Sequence, residues 1–216
     1  MSVYLPGDHI DSPSSSDAKI IVGYGIDLQN DQLVTVQPGL LRTSENKVWI
    51  SVHSKRYIPT EGDHVIGVIV GKAGDFFRVE IGAAEYSVVC FTKFEGATKR
   101  NRPNLKTGDI IYACVDDEAK ARGMGQLHGG FLFKTSLNHA RRLLSPTCQI
   151  LPTTGRFFKF EITIGMNGKI WIKAQYSNEI IAIYNIIKAS ENVGEGEIVD
   201  LVADLHARFR GIHSDS

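Results

Sequence analysis

Short apolar runs separated by turn residues dominate the first two thirds of the chain. Near the start, runs at 19–24, 33–36 and 47–52 are rich in Val, Ile and Trp, and runs of this kind predict strands. Further strands are predicted at 65–70, 76–81, 86–91, 110–115 and 130–133. So many short strands in one stretch favour a small closed β-barrel over a sandwich.

Turn residues mark the ends of the predicted barrel strands. Gly-Asp pairs begin at residues 62, 74 and 108, beside three of the five runs. Glycine supplies the positive φ that tight turns require, and aspartate hydrogen-bonds its own backbone there. The segment 57–135 is therefore predicted to be a barrel of the oligonucleotide-binding (OB) type, preceded by a small β module at 1–56.

The remainder of the chain, 136–216, combines alternating strands with helices. Residues 158–164 and 170–174 alternate between apolar and polar side chains, which predicts a pair of strands. Helices are predicted from Ser136, a suitable N-cap, and from apolar residues at helical spacing at 180–187 and 198–209. Arg210 and Gly211 are predicted to end the last helix. The fold class is thus mostly β plus α+β, in three domains.

Composition excludes some classes of protein. Hydrophobic residues make up 43% of the 216, enough to build a core, and 24 basic residues balance 24 acidic ones. A basic coat over the whole chain is thereby excluded, although charge can still segregate. Three widely spaced cysteines favour reduced thiols over a disulfide framework or zinc knuckle. We expect a soluble intracellular protein, since we find no secretory signal pattern and no apolar run of membrane-spanning length.

One segment carries a concentrated positive charge. Between residues 93 and 106 a single acidic residue, Glu95, opposes five basic ones: Lys93, Lys99, Arg100, Arg102 and Lys106. The segment lies in a predicted loop between the third and fourth barrel strands, where OB-type barrels place nucleic-acid contacts. Its cations would neutralise phosphates. The alternative is a solvated loop that only aids solubility, and charge alone does not decide between them.

The sequence Gly165-Met166-Asn167-Gly168 fits the G-x-x-G pattern with which KH domains clamp a nucleic-acid backbone. Alternating strands flank it here, and Asn-Gly between such strands indicates a hairpin turn. We therefore interpret Gly165, Asn167 and Gly168 as structural, with Gly168 at positive φ, and expect replacement of Lys169 by alanine to be nearly silent for stability. Trp171 is predicted to anchor a core or a contact between domains.

Aromatic side chains that could stack on bases are few. Phe76 and Phe77 are adjacent on one predicted strand and must face opposite sides of it, so one belongs to the core and the other points outward. Phe91 on the next strand is the third candidate. The ring that points outward could instead pack against a neighbouring domain.

Catalytic and metal-binding patterns are weak in this sequence. His64, His128 and His139 are scattered, and we predict neither a metal nor a cofactor. The acidic run at 116–118 could in principle bind magnesium, but such runs are more often solvated turns.

Several sequence blocks together resemble the S1/KH cap subunits of the eukaryotic RNA exosome. The barrel resembles an S1 domain and the C-terminal part a KH domain of the G-x-N-G variety. The blocks lie at 56–59, 62–67, 94–103, 123–125 and 165–174. The segment 115–123 looks shorter than the corresponding barrel loop of familiar relatives.

The resemblance implies a non-catalytic subunit that binds single-stranded RNA. Such proteins sit with other cap subunits on a ring of RNase PH-like subunits and line the entrance to a separate nuclease. The resemblance assigns RNA contact to Lys99, Arg100 and Arg102, packing against protein to the G-x-N-G turn, and a location in nucleus, nucleolus and cytoplasm. A free-standing S1-type RNA-binding protein or chaperone is the alternative, and an enzyme with an unrecognised site is a weaker one.

Overall fold

The computed structural model describes residues 3–10, 20–44, 46–52, 56–94, 97, 101, 103–115 and 125–214. The chain divides into two compact units, Met1–Ser54 and Lys55–Ser216. The second unit contains both the predicted barrel and the predicted α+β part. The finer division at residues 56 and 135 stays a prediction.

Short strands build the first unit. They are β1 (Val3–Tyr4), β2 (His9–Ile10), β3 (Ile21–Val22), β4 (Ile26–Gln29), β5 (Gln32–Thr35), β6 (Gly39–Ser44) and β7 (Lys47–Ser51). One sheet has the order β1-β6-β7-β3 and the other β2-β5-β4. Ile10, Leu33 and Ile50 lie in the small core that they enclose. The turn from β4 to β5 uses Asn30 and Asp31, both at positive φ, as a two-residue hairpin requires.

A five-stranded antiparallel sheet opens the second unit. Its strands are β8 (His64–Ala73), β9 (Phe76–Glu80), β10 (Ser87–Cys90), β11 (Ile110–Cys114) and β12 (Gly125–Leu127), in the order β10-β9-β8-β11-β12. The four strands predicted at 65–70, 76–81, 86–91 and 110–115 are confirmed. A bulge between Ile69 and Gly71 bends the long strand β8, as bulges do.

The strand predicted at 130–133 as the fifth barrel strand belongs to another sheet, so that prediction is wrong. Its observed counterpart, β13 (Phe131–Lys134), pairs with β15 (Lys169–Ala174), which also pairs with β14 (Phe160–Ile164). These three strands, β13-β15-β14, form the C-terminal sheet. The fifth strand of the five-stranded sheet is instead β12, whose three residues carry no clear alternation.

Helices cover one side of the C-terminal sheet. They are α1 (Leu137–Leu144), α2 (Ile150–Thr154), α3 (Ser177–Ala189) and α4 (Ile198–Ser214). Ser136 caps α1, since its hydroxyl oxygen accepts the His139 N–H at 3.2 Å. The helix α4 runs past Arg210 and Gly211, so the predicted stop at those residues is wrong. None of the described helices has the length and apolar character needed to cross a membrane.

Candidate nucleic-acid interface

The predicted RNA-contacting loop is only partly described. Lys99, Arg100 and Arg102 lie outside the described residues. Lys93 is the last residue of a short 3-10 helix, Phe91–Lys93, that follows β10. Lys106 is exposed in the turn before β11, where its N–H donates to Asp109 Oδ2 at 2.8 Å. The role of these five basic residues in RNA binding remains a prediction.

Apolar residues attach the described parts of this loop to the core of the five-stranded sheet. Phe94 and Ala97 are buried there, and Leu105 packs against the same cluster from the other end of the loop. The Phe94 ring meets Phe77 edge-on, with 6.0 Å between centroids. Phe94, Ala97 and Leu105 thus hold the described parts of the loop on the sheet.

The outward face of β9 and β10 presents a mixed aromatic and cationic surface. Phe77 is buried, whereas its neighbour Phe76 is 46% exposed, as their opposite orientations require. Arg78 lies two residues further along the same face, and its guanidinium stands 5.0 Å from the centre of the Tyr86 ring. Val88, opposite Arg78, is 61% exposed. We call Phe76, Arg78, Tyr86 and Val88 the β9–β10 face.

Sequence reasoning identified only part of this face. Phe91, also considered for stacking, is 4% exposed and belongs to the core. Arg78 and Tyr86 were missed, although the strand alternation places Arg78 beside Phe76. The 3-10 helix that opens the basic loop follows directly on β10, so the β9–β10 face and the loop are continuous along the chain.

The G-x-N-G segment forms a tight hairpin turn between β14 and β15. The Gly168 N–H donates to the Gly165 carbonyl at 3.0 Å, and the Gly165 N–H to the Lys169 carbonyl at 2.9 Å. Gly168 has φ +75°, and a Cβ on it would lie 2.8 Å from the Thr135 carbonyl oxygen. A side chain at this position is therefore excluded both by backbone conformation and by space.

The turn packs directly against strand β8. The Met166 N–H donates to the His64 carbonyl at 2.8 Å. A Cβ on Gly165 would come within 2.8 Å of the Ile66 nitrogen, so only glycine permits this approach. Three of the four turn amides thus bond acceptors within the protein. A G-x-x-G clamp needs free N–H groups to bind phosphate, and the N–H groups of Gly165, Met166 and Gly168 are already used within the protein.

Asn167 completes the hydrogen bonding of the five-stranded sheet. Its Oδ1 accepts the Ile66 N–H at 3.3 Å, and its Nδ2 donates to the carbonyls of Ile66 and Ile81 at 2.8 and 2.7 Å. The pairing of β8 with β9 begins only at Val68 and Glu80, so β9 supplies no backbone partner for Ile66. The side-chain amide therefore occupies the place of a missing strand residue.

Lys169, predicted to be nearly silent for stability, is instead buried. Only 2% of its side chain is exposed, and Nζ donates to the Glu80 carbonyl at 2.8 Å and to the Glu80 carboxylate at 2.5 Å. Burial holds the pKa of Lys169 below its usual range, although the hydrogen bond that Lys169 donates to Glu80 acts in the opposite direction. Burial alone would raise the pKa of Glu80, but the hydrogen bond and charge of Lys169 together with the charge of Lys134 outweigh it, and the pKa is lowered. The two sheets are thus joined by an ion pair.

Trp171 lies buried within the C-terminal sheet. Its Nε1 donates to the Gly129 carbonyl at 2.7 Å, which satisfies the one polar group of the indole. A Cβ on Gly130 would lie 2.9 Å from the same ring. Trp171 therefore fixes the chain where it enters β13.

Groups with metal-binding or catalytic chemistry are dispersed in the described part of the chain. His64 stacks on Tyr112 with centroids 5.6 Å apart, while His139 is buried and its Nε2 lies 2.9 Å from the Ile187 carbonyl. Within the described ranges no three His, Cys, Asp or Glu residues converge as metal ligands. The acidic run at 116–118 lies outside the described residues.

Two protein-family models match successive parts of the second unit. Residues 57–125 match the family model described as the S1 domain of exosome complex component RRP40, and residues 130–177 match a KH domain model. These matches define an S1/KH protein, with the five-stranded sheet in the S1 domain and the C-terminal sheet in the KH domain.

Curated relatives extend the similarity over nearly the whole chain. Exosome complex component RRP40 of Homo sapiens is 36% identical, covering 87% of this chain and 78% of the relative. The Drosophila melanogaster protein of the same name is also 36% identical, covering 94% and 95%. The chain therefore belongs to the RRP40 family of exosome components, and the resemblance to exosome cap subunits is confirmed.

A solved structure shares the fold at lower identity. The crystal structure of a putative exosome complex RNA-binding protein superimposes with a TM-score of 0.62 at 22% identity, covering 74% of this chain and 99% of that one. The predicted fold class, mostly β plus α+β with an S1 domain and a KH-like domain, is confirmed.

Proposed function

We propose that this chain is a non-catalytic RNA-binding cap subunit of the RNA exosome. It would help to guide single-stranded RNA into the central channel for 3′-to-5′ processing and decay, and it would stabilise the ring. Membership of the RRP40 family carries the proposal. The β9–β10 face supports it, because exposed aromatic and guanidinium groups are suited to stacking on unpaired bases.

The partners follow from the same proposal. They are single-stranded RNA, RNase PH-like ring subunits, other cap subunits and an associated nuclease, in nucleus, nucleolus and cytoplasm. A balanced net charge supports a subunit over a lone RNA binder, which usually carries a basic excess. In this assembly Lys93, Lys99, Arg100, Arg102 and Lys106 would contact phosphate.

The KH domain has a structural part in the proposal. Gly165, Asn167 and Gly168 would serve to hold the KH domain on the S1 domain, and Trp171 would anchor the entry to it. The contacts of the turn with β8 support this role. A rigid S1/KH pair presents the β9–β10 face and the basic loop in a fixed orientation.

The basic loop is tested by replacing Lys99, Arg100 and Arg102 with alanine. Each lost phosphate contact lowers the slope of log affinity against log salt by roughly 0.7 on single strands, so the slope should fall by about 2. Folding stability should change by less than about 0.5 kcal/mol. Binding of labelled single-stranded RNA to the assembled complex, titrated at several salt concentrations, measures the slope.

A matched control replaces three exposed cations elsewhere, Arg42, Lys47 and Arg141. It should leave the slope unchanged. If the loop variant assembles normally and keeps the wild-type slope, the loop is off the RNA path and the solvated-loop interpretation is correct.

The absence of catalysis is tested on the purified chain. Labelled single-stranded RNA incubated with it and magnesium or manganese should stay intact. Degradation that persists through further purification, and that is lost when Asp116 and Asp117 are replaced by alanine, would make the chain an enzyme.

A further inference from the structure

A short rigid loop between α2 and β14 carries an exposed aromatic ring. The N–H groups of Phe157 and Phe158 both donate to the Thr154 carbonyl, at 3.0 and 3.1 Å, so the loop continues the turns of α2. Thr154 and Phe158 are buried, whereas Phe157 is 42% exposed. The buried neighbours fix the backbone from which the Phe157 ring projects.

A histidine on α4 holds this ring in place. The ring centroids of Phe157 and His206 lie 4.4 Å apart, and the ring planes are tilted by 30° to each other. His206 is half-buried and also meets Phe158 edge-on at 5.5 Å. An aromatic ring that is already oriented loses little conformational entropy when a further ring stacks on it.

Basic residues flank Phe157 in the sequence. Arg156 and Lys159, on either side of Phe157 in the sequence, are both exposed. The acidic Asp204 on α4 pairs with Arg208 at 2.7 Å, and two residues of helix separate it from His206 by about 200°. On β14, Glu161 pairs with Lys173 at 3.7 Å. Each of these two acids therefore has an ion-pair partner other than Arg156 and Lys159.

We propose that Arg156, Phe157, Lys159 and His206, the Phe157 patch, bind single-stranded RNA as a second contact on the KH domain. An unpaired base stacks on Phe157, and the two cations neutralise the flanking phosphates. The inference rests on the proposed function, because it takes RNA as the ligand. Stacking tolerates any base, so the contact is indifferent to sequence.

The patch lies away from the G-x-N-G turn, which packs on β8. The KH domain can therefore contact RNA while its turn stays bound to the S1 domain. A protein-docking surface is the other use of an exposed aromatic ring. The two exposed cations that flank Phe157, Arg156 and Lys159, favour a ligand that carries phosphate over an apolar protein surface.

The stacking is tested by binding of a fluorescent oligouridine to the full chain. Phe157→Ala should weaken binding about 5- to 150-fold, the equivalent of one stacked base, and Phe157→Trp should preserve it. A blunt RNA duplex offers no unpaired base, so its affinity should be the same for all three proteins.

The two cations are tested separately from the ring. Arg156→Ala combined with Lys159→Ala should lower the salt slope for oligouridine by about 1.4, at roughly 0.7 for each contact. The paired control, Arg42→Ala with Lys47→Ala, should not alter it. These exposed positions leave the fold intact, so they decide the matter even if Phe157→Ala proves unstable.

The outcomes separate this inference from the proposed function. If the variant of Lys99, Arg100 and Arg102 weakens RNA binding while the Phe157 and Arg156/Lys159 variants bind like wild type, the patch is refuted and the function stands. If wild-type protein, alone and in the complex, binds no single-stranded RNA, both fail. Loss of partner-protein binding with RNA affinity unchanged also overturns the patch.

Discussion

Replacing Asn167 by alanine tests whether one side-chain amide joins the S1 and KH domains. The substitution removes three hydrogen bonds and leaves three backbone groups, the Ile66 N–H and the carbonyls of Ile66 and Ile81, without this partner. Asn167 is 7% exposed, so water reaches the site only through the cavity that the mutation opens. The expected result is a large loss of stability from a small change in volume.

The size of the loss follows from the orphaned groups. A buried backbone group left unsatisfied costs about 1–3 kcal/mol, and the three sites are too close for their costs to add fully. We therefore expect the free energy of unfolding to fall by about 2–4 kcal/mol. For a unit of this size, each kcal/mol shifts Tm by about 2–4 °C. The Tm of the second unit should drop by about 4–16 °C.

Differential scanning calorimetry and urea unfolding of the full chain measure both quantities. Asn185→Ala is a matched control, because Asn185 is exposed on α3 and the same atoms are removed. It should change stability by less than about 0.5 kcal/mol. If Asn167→Ala is no more destabilising than this control, the amide does not complete the sheet and the reasoning is wrong.

Three further predictions concern neighbouring side chains. Gly168→Val should cost more than about 1 kcal/mol, because φ is +75° and the added Cβ would meet the Thr135 carbonyl; wild-type stability in urea would contradict this. Lys169→Ala should cost about 2 kcal/mol, less than a fully buried pair because Glu80 is 35% exposed. Since the pKa of Glu80 is lowered on folding, the ionised carboxylate stabilises the fold at neutral pH, and this stabilisation is lost as pH falls below about 4.5. Glu80→Gln should therefore make the free energy of unfolding less dependent on pH in the acid range. Phe77→Ala should lower the free energy of unfolding by about 3–5 kcal/mol, whereas Phe76→Ala should lower it by under about 1 kcal/mol and weaken RNA binding. Equal losses of stability in thermal melts would show that the buried and exposed faces of β9 are wrongly assigned.

Alternation predicted the strands that have one buried and one exposed face. On β9, Phe77 and Val79 are buried while Phe76 and Arg78 are exposed, so the period-two pattern is complete. The helix α3 was equally clear, because Ile183 and Ile187 repeat at helical spacing on its buried side. In both elements the local pattern and the tertiary burial coincide.

Partner choice could not be predicted in the same way. The run at 130–133 is apolar and short, and such a run fits either of two sheets. Its partner strand β15 begins at Lys169, more than thirty residues later in the chain. Nothing in the local sequence therefore shows that β12, and not the run at 130–133, completes the five-stranded sheet. The two-residue strands β1, β2 and β3 are too short to show any period.

The burial of Lys169 could not be predicted from the sequence. A lysine after a hairpin turn is most often solvated, and the sequence offered no reason to bury it. Its partner Glu80 lies 89 residues earlier, on a strand of the other domain. Burial of the ion pair follows from the docking of the two domains, which no local pattern encodes.

The docking also decides which surfaces remain for RNA. Asn167 and Lys169 use the hairpin of the KH domain to hold β8 and β9, so that hairpin has little left with which to grip phosphate. We therefore expect affinity for RNA to come from surfaces outside this junction. The surfaces that we propose for RNA are the β9–β10 face and the basic loop of the S1 domain and the Phe157 patch of the KH domain. An RNA contact that depended on the Gly165–Gly168 backbone would require the domains to separate, with the loss of the Asn167, Met166 and Lys169 hydrogen bonds to β8 and β9.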